Sequence, residues 1–320
     1  MSLGTRPYEQ GLHDLGNGGY AWLQPDGGWG WSNAGLIVDG DECLVVDTLF
    51  DKPLTRDMLK AMRGAEPGAT ASFDYLVNTH ANADHCNGNE LVGDAEIIAS
   101  RACAEELARE DPGMLQRLME QAPEMGEVGE FFVYCFSAFD FRDINRALPT
   151  RTFDDTLDIT VGDKTVHLKQ VGPAHTRGDV LAFVSADALI FTGDILFIEG
   201  HPIIWAGPVG NWVDACDYML GLDVETVVPG HGPITDKRGI EAMRAYLVYV
   251  TEQARLRFDA GMGVMEAALD ISLADYDSWG DAERIVVNVA TLYKEFAGDP
   301  TPGDITEMFA MMAAVHRNRR

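Results

Sequence analysis

The chain is 320 residues long, with 46% hydrophobic and 9% aromatic residues; this supports a full core in one large domain or one domain with an appendage, and argues against disorder. With 51 acidic against 24 basic residues the formal charge is −27, which argues against a nucleic-acid partner, because phosphate-backbone affinity rests on Lys and Arg displacing counterions. No run reaches the ~18 apolar residues a membrane helix needs, no basic and apolar leader opens the chain, and five scattered cysteines form no CxxC pair, so a cytoplasmic protein with reduced thiols is expected.

Residues 36–38 and 43–46 flank the turn pair Asp39-Gly40 and read as a β-hairpin. Pro53 then sits where a first helical turn tolerates its missing N–H, and Leu54, Met58, Leu59 and Met62 recur at helical spacing up to Gly64. The apolar run 73–77 stops at NTHANADHCNGNE, a stretch too rich in Asn, Asp and Gly to continue a strand. A further strand is expected at 95–99, with Ser100 capping a helix behind it.

Residues 112–148 break this alternation, because 114–122 and 128–148 carry helical spacing. They read as a helical insertion whose Phe131, Phe132, Tyr134, Phe136 and Phe139 either pack on the body or roof a substrate pocket. Short strands return at 157–161, 165–171, 180–184, 188–191 and 226–228. Beyond residue 236 the pattern turns helical, over 240–258, 264–269, 282–296 and 305–316. The expected division is a body over residues 1–235, with the insertion at about 112–148, and a C-terminal helical extension over 236–320 packed on it.

His80, Asp84 and His85 fall within six residues on a loop directly after an apolar strand. Imidazole nitrogen and carboxylate oxygen are donors that Zn²⁺ and similar borderline ions take, and a short loop lets one segment supply several coordination directions. Three later elements repeat the arrangement: His175 in GPAHTRGD, Asp194 in FTGD and His231 in PGHG, each after a strand or apolar run. A lone histidine is more often a surface or core residue than a ligand, but four such sites behind strands point to one metal centre.

Taken in order, these motifs resemble those of the metallo-β-lactamase superfamily, whose leading motif is His-x-His-x-Asp-His. Residues 80–85 match it except at Asn82, and the resemblance covers roughly residues 15–235, including the hairpin ending in Asp47-Thr48. It implies an α/β chain folded as a four-layer αβ/βα sandwich with its site at one edge. By this resemblance His80, the residue at 82 and His175 hold one metal, Asp84, His85 and His231 hold a second, and Asp194 bridges them. A bridging carboxylate is similar to glyoxalase II and related hydrolases rather than to β-lactamases proper.

An amide oxygen is a weaker donor toward Zn²⁺ than an imidazole nitrogen. Three arrangements therefore stay open: two metals with Asn82 as an oxygen ligand or beside the ligands, one metal held by Asp84, His85 and His231, or a different metal. The expected cofactor is Zn²⁺, as one or two ions, with Fe or Mn as alternatives.

The reaction implied is hydrolysis of an ester, lactone or thioester, the metal lowering the pKa of water toward ~7 and polarising the carbonyl. Asp84 is the expected catalytic group, orienting the attacking hydroxide. Two other readings remain. One is oxygen chemistry at a single iron held by His80, His175 and Asp194, similar to the superfamily's persulfide dioxygenases; the other is a non-hydrolytic polyketide-type cyclase or degenerate binding protein. The Gly- and Pro-rich loop at 199–212 offers His201 and Trp205 as substrate contacts or as core anchors. Arg177 and Asp179 are expected to brace the His175 loop, Asn87, Gly88 and Asn89 to shape their own, and Cys86 to pack inward. The expected partner is a small molecule, with no nucleic acid and no membrane; the oligomeric state stays open.

Overall fold

In the computed structural model, residues 2–301 and 303–319 are described. The turn Asp39-Gly40, with Gly40 at φ +59°, joins β3 (Ala34–Asp39) to β4 (Glu42–Val46) and sets Asp39 opposite Glu42. Around this hairpin a seven-stranded sheet runs in chain order: β1 (Gly11–Gly16), β2 (Gly19–Leu23), β3, β4, β5 (Tyr75–Val77), β6 (Glu96–Ser100) and β7 (Arg151–Phe153). Pairing is antiparallel up to β4 and parallel from β4 to β7. A five-stranded sheet holds β8 (Thr156–Val161), β9 (Lys164–Gln170), β10 (Val180–Val184), β11 (Leu189–Phe191) and β12 (Thr226–Val228), ordered β12-β11-β10-β9-β8 and parallel at β11-β12 alone.

The helices, in chain order, are α1 (Lys52–Ala65), α2 (Ala83–Cys86), α3 (Arg101–Arg109), α4 (Met114–Gln121), α5 (Gly126–Phe136), α6 (Val209–Gly221), α7 (Lys237–Asp259), α8 (Val264–Asp270), α9 (Ile285–Ala297) and α10 (Ile305–Arg319). Side chains alternate across a strand, so each sheet has two faces to bury. Leu36, Val45 and Leu76 face Met58, Leu59 and Met62 of α1. Their neighbours Ile37, Leu44, Val46 and Val77 meet Val166, Leu168, Ala182 and Phe191 of the second sheet. On that sheet's far side Leu181, Ile190 and Val227 pack with Trp212 and Cys216 of α6 and Met243 and Leu247 of α7. Helix, sheet, sheet and helix follow one another, which is the αβ/βα sandwich expected.

Local chemistry explains the helix starts. Asp51 accepts from the Leu54 amide at 2.8 Å ahead of α1, and the Ser100 hydroxyl accepts from the Cys103 amide at 3.1 Å ahead of α3. The second helix of the insertion ends at Phe136 rather than near 148. There the Asp140 amide donates to Asp51 at 2.9 Å, the Asp140 carboxylate takes the Arg142 amide and guanidinium, and Asp143 stands at φ +57°, so the backbone is committed to turns. Further elements escape the periodicity reading: the β1-β2 hairpin, turned by Asn17-Gly18, the one-turn helix α2, which carries Asp84 and His85 where a loop was expected, the short edge strand β7, and α6.

The core of the second sheet's outer face continues without a break across residue 235 into α7 and the C-terminal helices. Phe132 of the insertion stacks on Phe309 of α10 at 4.7 Å, and Phe136 lies 6.0 Å from the same ring. Arg284, just ahead of α9, is fully buried: it pairs with Asp281 at 2.9 Å, donates to the His201 carbonyl at 2.9 Å and lies 4.3 Å from the Trp29 ring centroid. All five cysteines are buried and unpaired. Among the described residues no helix is long and apolar enough to cross a membrane.

Candidate metal centre

Strand ends from both sheets deliver the polar groups to one edge. Beyond β4 stands Asp47, beyond β5 come Asn78, Thr79 and His80, the β9-β10 loop carries His175, and Asp194 and His231 follow β11 and β12. His85 Nε2 lies 3.1 Å from Asp194 Oδ1 and 3.8 Å from Asp84 Oδ2. His231 Nε2 lies 3.3 Å from Asp84 Oδ2 and 3.5 Å from Asp194 Oδ2. His175 and His80 place Nε2 at 3.3 and 3.7 Å from that same Asp194 oxygen. The structure thus brings together the four histidines and two aspartates among the seven residues expected to hold metal, though they are spread from 80 to 231.

Each imidazole is oriented from behind. His175 Nδ1 donates to the Ile203 carbonyl at 2.7 Å, and His231 Nδ1 to the Gly27 carbonyl at 3.0 Å. His85 Nδ1 donates to Asp47 Oδ2 at 2.9 Å. The Thr79 hydroxyl spends its proton on that same oxygen at 2.7 Å, so it accepts from His80 Nδ1 at 3.0 Å. Carbonyl and carboxylate oxygens only accept, so every Nδ1 carries a hydrogen and every Nε2 faces the centre, free to bind a cation once it gives up any proton it holds. His80 Nε2, His85 Nε2 and Asp194 Oδ1 are buried without a hydrogen-bond partner. Such orphaned atoms are costly unless something fills the space between them, and an N/O donor set of this kind suits a divalent cation.

The donor atoms of His80, His85 and Asp194 lie within 4.8 Å of one another, as do those of Asp84, His85 and His231. His85 therefore belongs to both groups, where the resemblance assigned it to one. Charge agrees with the geometry. Burial favours neutral Asp84, yet His85 and His231 outweigh it and bring the carboxyl down to about 2. Burial also opposes charge on His231, but Asp194 and Asp84 push it up to about 9. Burial dominates at His175, down to about 4, and at His80. Two carboxylates are left seeking positive charge, which protons supply in the metal-free chain and a cation would supply in their place.

Asp47 was in view as the polar end of an apolar strand, but its role was not read. It stands at φ +61°, a region that costs a non-glycine residue energy, and is held by its bonds to Thr79 and His85. Asp47→Ala removes the acceptor that orients His85 and, through Thr79, His80. We expect metal affinity to fall 10–100-fold, measured by competition with a chromophoric chelator; unchanged affinity would show that the two rings hold their pose unaided.

Glycine at 230 has a steric cause. A Cβ there would stand 2.0 Å from Asp194 Oδ1 and 2.6 Å from the Gly193 carbonyl carbon, so the His231 loop can lie against Asp194 only because residue 230 has no side chain. Gly230→Ala should cost about 1–3 kcal/mol of stability and displace Asp194, read by denaturant unfolding and by metal content per chain.

The remaining expected residues divide. Asn82 faces the centre, its Nδ2 3.2 Å from His175 Nε2. Trp205 lies in the wall of the cavity above the centre. His201 does not: it is fully buried between Tyr246, whose hydroxyl is 3.0 Å from Nδ1, and Trp279, and burial holds its pKa at about 3. This corrects its reading as a substrate contact; the 199–212 loop turns its first half into the C-terminal helices, where the Gly280 carbonyl takes the His201 amide. Asp179 braces the His175 loop through the Thr176 amide and hydroxyl, whereas Arg177 reaches the cavity. Asn89 bonds Asn78 at 2.8 Å, and Cys86 packs inward with Sγ toward the His80 carbonyl. Phe197, unread in the sequence, stacks on His231 at 5.0 Å. The cavity measures about 880 Å³, and the insertion aromatics Phe132 and Phe136 line it.

A double sheet flanked by helices, with four histidines and two aspartates gathered at one edge, defines a fold able to hold a metal ion there. Residues 27–231 match the metallo-beta-lactamase superfamily, and the chain belongs to that superfamily, whose members are typically metal-dependent hydrolases. It is 21% identical over 224 residues to the Beta-lactamase-like protein 2 homolog of Caenorhabditis elegans, covering 70% of this chain and 63% of that protein. With the 2,4-dinitroanisole O-demethylase subunit alpha of Nocardioides sp. (strain JS1661) it shares 23% over 221 residues, 65% of this chain and 55% of that one. The chain thus spans less than two thirds of either relative's length.

Among solved structures, the stereoselective inverting sec-alkylsulfatase Pisa1 from Pseudomonas sp. superposes with a TM-score of 0.66 at 14% identity, over 97% of this chain and 57% of that one. A metallo-beta-lactamase from Pontibacter korlensis gives 0.55 at 15%, over 75% and 99%. At these identities the likeness is one of fold.

Proposed function

We propose that the chain hydrolyses an ester, lactone or thioester with a metal ion, Zn²⁺ first among the candidates, held by His80, Asp84, His85, His175, Asp194 and His231. The observation that carries this reading is the convergence of four back-oriented imidazoles on two carboxylates at the floor of a cavity. Among the described residues no serine or cysteine lines that cavity, which supports water rather than a serine or cysteine side chain as the attacking group. Bound there, a divalent ion acidifies water and polarises the acyl carbonyl.

The chain's own groups do the rest. Asp84, its side chain 13% exposed, stays ionised at the cavity floor and accepts a hydrogen bond that orients the attacking water. Asn82 sets an amide beside His175, where it supplies an oxygen to a second cation or a donor to the substrate carbonyl. Phe197 and Trp205 keep bulk water from the reacting groups. The buried, unpaired thiols support a reducing compartment, the cytoplasm.

The test is turnover of p-nitrophenyl acetate, an acyl thioester and a lactone before and after chelation. Loss on chelation and recovery with Zn²⁺ or Mn²⁺ is expected, and full turnover by metal-free protein overturns the mechanism. A second reading draws on Asp194 Oδ2, which lies 3.7 and 3.3 Å from Nε2 of His80 and His175, a 2-His-1-carboxylate set of the kind that holds iron. Iron in elemental analysis together with thiol-dependent oxygen uptake would favour it over hydrolysis.

A further inference from the structure

The cavity has two unlike ends. Its floor carries Asp84, His175, Asp194 and His231. Its walls come from parts of the chain far apart in sequence and include a set of apolar side chains: Leu118 of α4, Phe132 and Phe136 of α5, Trp205, and Met308 and Phe309 of α10. At about 880 Å³ the space stands near the top of the range for ligand pockets, far more than a short acyl group fills.

Charge at the cavity is weighted toward acid. Glu106, Glu110, Asp111, Glu295 and Asp299 line it, on a chain of net charge −27. Of the four cations there, Arg146 pairs with Glu110 at 2.6 Å and Arg284 with Asp281 at 2.9 Å, Arg177 acts on the carboxyl of Glu106, and Lys294 donates to the Thr301 carbonyl at 3.1 Å, so the acidic side chains outnumber the basic ones among the described residues. An anionic group travelling along this wall meets like charge, whereas an uncharged hydrocarbon chain gains by leaving water.

We infer that the substrate is a neutral amphiphile: an uncharged carboxylic ester whose acyl chain of several methylenes lies in the cavity against the wall that α4, α5 and α10 build together, with its carbonyl on the floor. The scissile bond rests on the hydrolase reading above; the chain-binding site does not. It assigns the insertion and the C-terminal helices, which carry no chemistry of their own, the part of measuring the substrate.

Two series separate the two claims. Calorimetric titration with 1-butanol, 1-hexanol, 1-octanol and 1-decanol, none of which can be hydrolysed, should show affinity rising about two- to four-fold per added methylene. Decanoate ion should bind at least about ten-fold more weakly than 1-decanol. In parallel, kcat/KM on p-nitrophenyl esters from acetate to decanoate should climb with chain length. Leu118→Asn, at a half-buried wall position, should flatten both series, and circular dichroism confirms that this variant is folded. A flat alcohol series in the parent protein overturns the inference, as does turnover of acetate and decanoate esters at equal kcat/KM, which would leave hydrolysis standing. Decanoate bound as tightly as decanol overturns the neutral character. A rising alcohol series without hydrolysis of any ester supports the chain site and overturns the hydrolase reading instead.

Discussion

Asp194→Ala is expected to empty the centre of metal and lower kcat/KM at least ~10³-fold, which corresponds to about 4 kcal/mol of transition-state stabilisation. Asp194 touches every imidazole of the cluster: Oδ1 is 3.1 Å from His85, and Oδ2 is 3.3, 3.5 and 3.7 Å from His175, His231 and His80. Its carboxyl is held well below the usual range because, although burial opposes its charge, His231 and His85 stand against it as positive partners. Alanine removes that charge and leaves four Nε2 atoms facing one another with only Asp84 to draw a cation. Elemental analysis of the purified variant, alongside turnover, checks the expectation. Parent-like metal content together with parent-like kcat/KM would falsify the assignment of Asp194 to the centre.

Arg284→Ala is expected to cost about 3–5 kcal/mol of folding stability, because it strands Asp281 in the interior. Asp281, its side chain 11% exposed, has Arg284 as its partner at 2.9 Å, and loss of solvent already pushes its carboxyl up against the pull of that guanidinium. Without Arg284 the carboxyl takes up a proton instead of standing charged, so the lower end of the range applies at acid pH and the upper end at neutral pH and above. The same substitution removes the bond to the His201 carbonyl and the contact with the Trp29 ring at 4.3 Å. Trp29 in turn donates to Glu283 at 2.8 Å and stands two residues from Gly27, whose carbonyl orients His231. Denaturant unfolding of Arg284→Ala, Asp281→Ala and the double variant measures the pair directly, with a coupling above about 0.5 kcal/mol expected for residues in contact. An Arg284→Ala midpoint equal to that of the parent would show that the C-terminal helices are held by apolar packing alone.

The ligand types and their order along the chain could be read locally, because a strand ending in a polar loop shows as an apolar run followed by Asn, Asp, Gly and His. The β3-β4 hairpin, α1 and the C-terminal helices were legible for the same reason: their periods and turn pairs are properties of neighbouring residues. The end of α5 was not, since the groups that draw the chain out of the helix include Asp51, far away in sequence. Nor could periodicity show that Asn17-Gly18 turns a first hairpin, whose β1 carries little apolar side chain to alternate.

What the sequence by itself determined is the chemistry available: four imidazoles and two carboxylates, each behind a strand, and an amide at 82. Only the tertiary structure decided how they are used. Which nitrogen of each ring faces the centre depends on acceptors at Asp47, Ile203 and Gly27, and for His80 on the Thr79 hydroxyl that Asp47 orients, positions set by strand packing and loop path rather than by a readable pattern. The same holds for Trp205, which reaches the cavity, and His201, which is buried four residues earlier in the same loop. Residue type sets what a side chain can donate or accept; the fold alone sets what stands opposite it.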